Sequence, residues 1–494
     1  MIDSVNKPAK IWSISWILSL FFEWEEERKF PITGWICIII FYLAGILIWG
    51  ILFDWLQTPL NFHDWGEINF PRFELVREAI TNQMIPLHVN CERCLHRVTD
   101  RFFVLPDVVT TPQMLLLPLV KVGLFIFIDL LLHYTVGTLG LLYIRYRFKL
   151  SLIAYLFLFF LFNFNGYIQA HYVVGHITWT GYFLFPWFFI LVFHLMERGG
   201  SYLWVAGIAF LSFYSILAGS QHHFTWMMLF LVFLSLSLWR EKKWIITAIV
   251  FSGFTSAVRL LPPLLGINTF TSPAGGFSFR SGYPSLGDFL SALVVLRPVS
   301  YVIRITSEKL GYWEFDYFIG VVGACFLVFF GIYCWIRDQR GSKKFSPLLL
   351  PTALIFLLSL GNLYGYTLYK FPLFASERIS ARMVSLSLTL LMIIAAVYFQ
   401  EFLNTRKEGV FRWTVLFLLA LFLNDIYMHT IFWRVNQIIE SLRVEVKSTE
   451  VAIINHADPQ YLFVLILGVA LTLIASILII IMSVRERRIR RVPS

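Results

Sequence analysis

Residues 34–53 read GWICIIIFYLAGILIWGILF, a run without a charged side chain. A hydrocarbon core about 30 Å thick is crossed by a helix of about 20 apolar residues, so this stretch predicts a transmembrane helix. It is too long and too far from the first residue for a cleaved signal peptide, and it lacks a small-residue cleavage site. We therefore expect it to remain as the first membrane anchor.

The rest of the chain repeats this pattern. Of its 494 residues, 58% are hydrophobic and 14% are charged, whereas soluble domains hold about 45–50% and about 25%. Further apolar windows lie at 113–143, 150–167, 179–196, 201–218, 224–239, 244–262, 316–336, 345–361, 384–404, 411–433 and 459–483. The sequence predicts an all-α polytopic membrane protein, a single membrane domain over residues 1–494 with about 12 transmembrane helices (about 11 to 13).

Basic residues predict the orientation of these helices. If the N-terminus is inside, every short inside turn carries Lys or Arg, whereas the outside turns 168–178 and 219–223 carry neither. The positive-inside rule then places both termini in the cytoplasm and the protein in the cell membrane. We expect a cytoplasmic segment 1–33 with an interfacial helix at 11–22, and a basic cytoplasmic tail at 484–494.

The net charge of +10 needs no nucleic-acid partner. Anionic lipid of the inner leaflet attracts a basic tail such as Arg485 to Arg491. Membrane lipid is therefore the partner that the charge predicts.

Three predicted outside segments are longer than a turn requires. They are the first outer loop 54–112, the second large outer loop 263–315, and 434–458. Loops of this length usually carry function. Within the first, apolar residues at 73, 75, 76, 79 and 80 have approximate helical spacing, which predicts an amphipathic helix on the membrane surface.

The first outer loop opens with a pair of acids in the run His63-Asp64-Trp65-Gly66-Glu67. Asp64 and Glu67 stand three residues apart, which places them on one side of a helix or turn and lets one raise the pKa of the other. Such a pair suits a general base that removes a proton from a hydroxyl. The alternative is a solvated loop acid or a helix cap.

Arginines on the predicted outer side supply the opposite charge. Arg378 and Arg382 stand four apart at the outer end of the predicted tenth span, where two guanidinium groups can hold a phosphate or diphosphate. Arg259, at the outer end of the seventh, is a further candidate. The alternative for all three is snorkelling to the membrane interface.

Histidines also gather on this side. His171, His176, His222 and His223 occupy two short outer turns, where they could contact metal or sugar hydroxyls, although their spacing favours hydrogen-bonding or structural roles. The run His88-x-x-Cys91-x-x-Cys94-x-His96 holds one CxxC, which is half of a zinc site or an oxidised pair. We expect no metal or cofactor to be required, with a divalent metal as the alternative.

Four stretches together resemble the GT-C class of membrane glycosyltransferases, in its uncharacterised prokaryotic branch. They are His63-Asp64-Trp65 through Pro86-Leu87-His88, Thr99-Asp100-Arg101-Phe102 with Pro106-Asp107, Tyr312-Trp313-Glu314-Phe315-Asp316-Tyr317 with Gly320, and Phe371-Pro372 through Arg378 and Arg382. The chain departs from that class in lacking an Asp-x-Asp in the first loop, which makes metal dependence doubtful.

The resemblance implies an inverting transfer of a hexose or pentose from a polyprenyl-phosphate donor to an acceptor hydroxyl at the outer face. It implies that Asp64, with Glu67 beside it, acts as the base and that Arg378 and Arg382 hold the leaving phosphate. Glu314 is then a candidate for positioning the acceptor, and Arg259, His88, His171 and His176 are further candidates for contacting the substrate.

The competing interpretation is a transporter or flippase of a lipid-linked or amphiphilic substrate. Transporters concentrate ionisable residues at the middle of the membrane. Here only Lys121, Asp129 and Asp425 are predicted to lie deep in spans, whereas the other acids and arginines crowd the outer boundary. The sequence therefore favours an outward-facing enzyme.

Overall fold

Two helices form the centre of the protein in the computed structural model. In Leu152–Val173 every residue of the most apolar window is buried, and in Ser380–Thr405 94% of it is, against 28% for Ile32–Leu52 and 22% for Pro459–Ile489. A helix that is apolar on all sides packs inside a bundle. In this centre the ring of Phe157 stacks on the rings of Phe326 and Phe422, with centroid distances of 4.9 and 5.5 Å.

The structure describes most of the chain. The described residues are 14–24, 32–56, 62–90, 99–105, 110–266, 279–297, 302–305, 308–339, 343–371, 374, 377–406, 408–440 and 451–491.

Within these residues, eight helices are long and apolar enough to cross a membrane. They are Ile32–Leu52, Val122–Phe148, Leu152–Val173, Ile177–Arg198, Gly320–Asp338, Ser380–Thr405, Gly409–Ile439 and Pro459–Ile489. The prediction of a helical polytopic membrane protein is confirmed. The predicted count of twelve is not confirmed.

The difference comes from four windows whose helices are short or bent. The helices Tyr202–Leu217 and Ser346–Leu358 are shorter than 18 residues. The helices Gln221–Ser237 and Trp239–Thr255 meet at a bend of 116°, and counting them as one broken span raises the total to nine. Hydropathy reports the composition of a window, whereas a span also needs continuous length.

The second predicted span begins later than expected. Residues Pro112–Leu119 form a 3-10 helix with Pro118 inside it, and the α-helix begins at Val122. Proline lacks the N–H that an α-helix needs and clashes with the preceding turn. Lys121, predicted inside the span, therefore lies exposed just before it.

The outer loops contain the expected surface helix and some pairing between strands. A π-helical turn, Trp65–Asn69, leads into the helix Phe70–Thr81, which buries Phe73, Leu75 and Ala79 within the protein. A helix exists where one is predicted, and its position on the membrane surface stays a prediction. Strand Val89–Asn90 pairs antiparallel with Ala452–Ile453. The second large loop holds the helix Leu286–Val294 and the hairpin Val302–Ile305 with Glu308–Gly311.

The N-terminal helix runs from Ile14 to Phe22. Leu20 and Phe22 are buried in the main core. A helix thus exists where the interfacial helix is predicted, and part of it packs against the protein; its position in the interface stays a prediction.

Side-chain contacts join segments that the predicted topology places on the same side of the membrane. Among predicted inside residues, Arg412 pairs with Glu23 at 2.9 Å and the Arg145 guanidinium lies 4.9 Å from the Trp24 ring centre. Among predicted outside segments, Arg434 pairs with Asp54 at 2.6 Å. Which of the two groups faces the cytoplasm remains a prediction.

We predict that Gly140→Ala destabilises the bundle while Gly123→Ala in the same helix does not. A methyl at position 140 would lie 2.8 Å from Cβ of Pro186, whereas one at position 123 would meet nothing within 4 Å. Overpacking costs roughly 1–3 kcal/mol. The apparent thermal midpoint of the full chain in detergent should fall only for Gly140→Ala; equal midpoints in the two variants would contradict this packing.

Candidate functional site

Trp65 forms hydrogen bonds that hold the start of the first outer loop against the end of the helix Gly166–Val173. Its indole Nε1 donates to the carbonyl oxygens of Tyr172 at 3.1 Å and Val173 at 3.0 Å. Asn69 donates from its amide to the Gly175 carbonyl at 2.5 Å. Gly175 has φ of +92°, and a Cβ there would lie 2.5 Å from the Trp65 nitrogen. Only glycine allows this close approach, which brings residue 64 beside residue 176.

The side chains of Asp64, His176 and His171 contact one another in that order. Its Oδ2 lies 3.4 Å from Nε2 of His176, and Nδ1 of His176 lies 2.6 Å from Nδ1 of His171. A carboxylate accepts, so His176 donates from Nε2 to Asp64 and accepts at Nδ1 from His171. The arrangement fixes the Asp64 carboxylate through a neutral imidazole.

Burial keeps His176 uncharged. It lowers the pKa of His176 to about 3, and the guanidinium groups of Arg382 and Arg378 lower it as well, while Glu314 opposes them. The His176 side chain is 14% exposed and that of Asp64 is 40% exposed. At neutral pH, Asp64 rather than His176 is therefore the group at this position that can accept a proton from a solvent-side hydroxyl.

Arg382 and Glu314 form a buried ion pair within electrostatic range of His176. Nε and Nη2 of Arg382 each donate to a different Glu314 oxygen at 2.6 Å, and the two side chains are 6% and 8% exposed. Burial raises the pKa of Glu314, but the Arg382 charge and hydrogen bond outweigh it and the pKa is lowered. The guanidinium carbon also lies 4.9 Å from the Trp179 ring centre.

Backbone and side-chain bonds hold the Glu314 segment against the start of the Ser380–Thr405 helix. Tyr317 donates its hydroxyl to the Arg382 carbonyl at 2.9 Å. Asp316 accepts from Trp433 at 2.8 Å and contacts Nε2 of His429 at 2.9 Å. Three segments that are distant in the sequence, around residues 316, 382 and 430, therefore hold the ion pair in place.

Arg378 lies within electrostatic range of both Asp64 and the ion pair. Burial lowers the pKa of Arg378, as do the charges of Arg382 and Arg280, while Glu314 and Asp64 raise it. The Arg280 amide donates to the Arg378 carbonyl at 2.8 Å. Three guanidinium groups thus lie within electrostatic range of Asp64 and Glu314, and Glu377 also acts on Arg382.

Arg280 was not predicted from the sequence. It belongs to the second large outer loop and has no local motif around it. Glu377 was missed as well: its Oε2 accepts from Trp226 at 2.8 Å and contacts Nδ1 of His222 at 3.1 Å. The neighbouring Arg378 was the available signal for Glu377, whereas nothing in the sequence around Arg280 pointed to it.

Trp179 forms an aromatic centre for the predicted histidine cluster. The four rings of His171, His176, His222 and His223 lie with centroids 4.8 to 5.6 Å from it. The structure therefore brings the two histidine turns together.

Three predicted site residues have other surroundings. Glu67 is exposed and acts electrostatically on His63. Arg259 donates to the carbonyls of Phe103 at 3.2 Å and Leu105 at 3.0 Å, so it holds the first outer loop in place. His88 contacts Asp458 and stacks on His456. The predicted Cys91, Cys94 and His96 lie outside the described residues.

We predict that Glu314→Gln strongly destabilises the protein. It leaves the Arg382 charge buried without its partner, which typically costs about 3–5 kcal/mol. Glu74→Gln is the matched control, because Glu74 pairs with Arg77 at 2.9 Å where the side chains are 46% and 28% exposed; such pairs contribute about 1 kcal/mol or less. Equal thermal midpoints of the two variants would contradict the importance of burial here.

Acidification should destabilise the protein through His176. Its pKa of about 3 in the folded chain lies below the ordinary value near 6.5, so between these values the unfolded state binds the additional proton. Stability therefore falls as pH falls through this range, by up to about 1.4 kcal/mol per pH unit from this residue. Thermal midpoints from pH 7 to pH 5 should fall less steeply in His176→Gln; parallel curves would contradict the assignment.

A comparison of the chain with protein-family models, curated proteins and solved structures finds no match. The resemblance of its motifs to membrane glycosyltransferases therefore remains a prediction. The chemistry of the site rests on the geometry of Asp64, His176, Glu314 and the three arginines.

Proposed function

We propose that this protein is an integral membrane glycosyltransferase. It would move a hexose or pentose from a polyprenyl-phosphate donor to an acceptor hydroxyl at the extracytoplasmic face of the cell membrane. The observation that supports this most is the meeting of Asp64 with His176 and, within electrostatic range, Arg378. A proton acceptor and an anion-binding group are the two parts that such a transfer needs.

Asp64 is the proposed general base. Nε2 of the neutral His176 lies 3.4 Å from one carboxylate oxygen, and the Asp64 side chain is 40% exposed on the side where an acceptor would bind. The base removes the proton from the acceptor hydroxyl as its oxygen forms a bond to the anomeric carbon. The bond from that carbon to the phosphate oxygen breaks, and polyprenyl phosphate leaves with the electron pair, inverting the sugar.

Arg378 and Arg280 are the proposed phosphate-binding groups. Two of the three guanidinium nitrogens of Arg382 are used by Glu314, so Arg382 contributes its charge and supports Arg378 more than it offers hydrogen bonds. Arginine suits this role because its fork matches two phosphate oxygens. Since these cations meet the developing charge, the proposed reaction needs no metal.

The position of the candidate site favours an enzyme over a transporter. Asp64, Glu314 and Arg378 all lie outside the eight described spans, whereas transporters bind their substrates at the middle of the membrane. Asp425, near the middle of Gly409–Ile439, is the exception.

The proposal is tested with the full chain in detergent and in vesicles. We expect it to bind undecaprenyl phosphate and to release it from a polyprenyl-phosphate hexose or pentose when an acceptor is present. Asp64→Asn should retain binding and lose release by at least about 100-fold, the usual share of a general base. Arg378→Ala should weaken binding by about tenfold or more, and Arg378→Lys by less.

Arg240→Ala is the matched control, because Arg240 is exposed in a predicted inner turn; its binding should equal that of the wild type. Release that is unchanged in Asp64→Asn would refute the base. Binding that is unchanged in Arg378→Ala would refute the phosphate site. Movement of intact donor across vesicles without release would instead support the transporter or flippase.

A further inference from the structure

A second polar cluster joins the first outer loop to the segment before the last helix. One possible ligand atom each from His88, Asp100 and His456 lies within 4.8 Å of the other two. His88 is buried, with its side chain 1% exposed, whereas those of His456 and Asp100 are 52% and 47% exposed. None of these atoms has a role in the proposed transfer.

The backbone around the cluster is already held in place. Strand Val89–Asn90 pairs with Ala452–Ile453, and the Ile454 amide donates to the His88 carbonyl at 3.0 Å. The side-chain oxygen of Asn455 accepts from the amides of Leu87 at 2.9 Å and His88 at 3.0 Å. Both halves of the cluster are thus fixed before any ligand binds, which lowers the entropic cost of binding.

The hydrogen bonds of His88 leave one buried nitrogen for a ligand. Its Nε2 lies 3.4 Å from Oδ2 of Asp458, which Arg101 also contacts at 2.6 Å. Its Nδ1 is buried and has no hydrogen-bond partner among the described residues. A histidine whose one nitrogen donates to a carboxylate and whose other nitrogen is unprotonated is the usual arrangement of a metal ligand.

His456 has a matching arrangement. Its Nδ1 lies 3.4 Å from the Ala457 carbonyl, which only accepts. Its Nε2 lies 2.8 Å from Oδ2 of Asp100, and its ring stacks on that of His88 with centroids 3.7 Å apart. The contact with Asp100 is a hydrogen bond, with a proton between the two atoms. A metal ion that binds both atoms takes the place of this proton.

We propose that His88, Asp100 and His456 bind one divalent transition-metal ion of the zinc class. Two imidazoles and a carboxylate suit zinc and its neighbours, whereas calcium and magnesium prefer oxygen ligands alone. A tetrahedral zinc site has ligand atoms about 3.3 Å apart, whereas the three atoms here lie within 4.8 Å of one another, so the exposed side chains of Asp100 and His456 must approach by up to about 1.5 Å. The His456 ring, which stacks on that of His88, must also turn towards the ion. The metal fastens the first outer loop to the base of the Pro459–Arg491 helix.

The test uses the full chain in detergent after dialysis against a chelator. We expect it to take up one equivalent of Zn²⁺, to gain thermal stability from Zn²⁺ but not from Ca²⁺, and to give the visible spectrum of tetrahedral Co²⁺ with nitrogen and oxygen ligands. His456→Ala and Asp100→Asn should each weaken Zn²⁺ binding by at least tenfold. Both side chains are about half exposed, so these variants keep the core intact.

His194→Ala and Glu74→Gln are the matched controls, since they remove a histidine and a carboxylate from other parts of the surface; both should bind Zn²⁺ as the wild type does. Absence of stoichiometric uptake by the wild type would overturn the proposal. So would wild-type affinity in His456→Ala and Asp100→Asn, or a thiolate-to-cobalt charge-transfer band, which would mark cysteine ligands instead.

Discussion

The buried ion pair of Arg382 and Glu314 is the constraint on which the candidate site depends. Neither charge could lie at 6% or 8% exposure without the other, because the cost of taking an unpaired ion from water is several kcal/mol. The pair therefore fixes the segment before the Gly320–Asp338 helix against the start of the Ser380–Thr405 helix. Arg378, one turn away, takes its position and part of its electrostatic surroundings from this contact.

The first outer loop reaches the same place by a different mechanism. Trp65 and Asn69 bond to backbone carbonyls of residues 172, 173 and 175, and Gly175 allows the close approach. Hydrogen bonds to buried carbonyls are costly to lose, so the loop start is held firmly although it is only a short turn. As a consequence, the carboxylate of Asp64 lies beside His176. The candidate site is thus positioned by the Arg382–Glu314 ion pair and by the hydrogen bonds of Trp65 and Asn69.

Local patterns in the sequence predicted the helical membrane architecture and a helix around Phe73, and they marked Asp64, Arg378 and the histidine turns as candidates. The pairing of Arg382 with Glu314 could not be predicted, because the two residues are 68 positions apart and either one alone is compatible with a role in binding substrate. Arg280 and Glu377 were missed for the same reason. The number of spans could not be predicted from composition either. The windows around Gln221–Ser237 and Trp239–Thr255 are apolar enough to cross a membrane, but their helices are short and meet at a sharp bend.

An experimental structure of the full chain in a lipid nanodisc tests the central claim most directly. The account predicts an Asp64 carboxylate oxygen about 3.4 Å from the His176 ring, with the Arg378 guanidinium close to that carboxylate and Arg382 bonded to Glu314. A structure in which Asp64 points into open solvent, away from His176 and from both arginines, would contradict it.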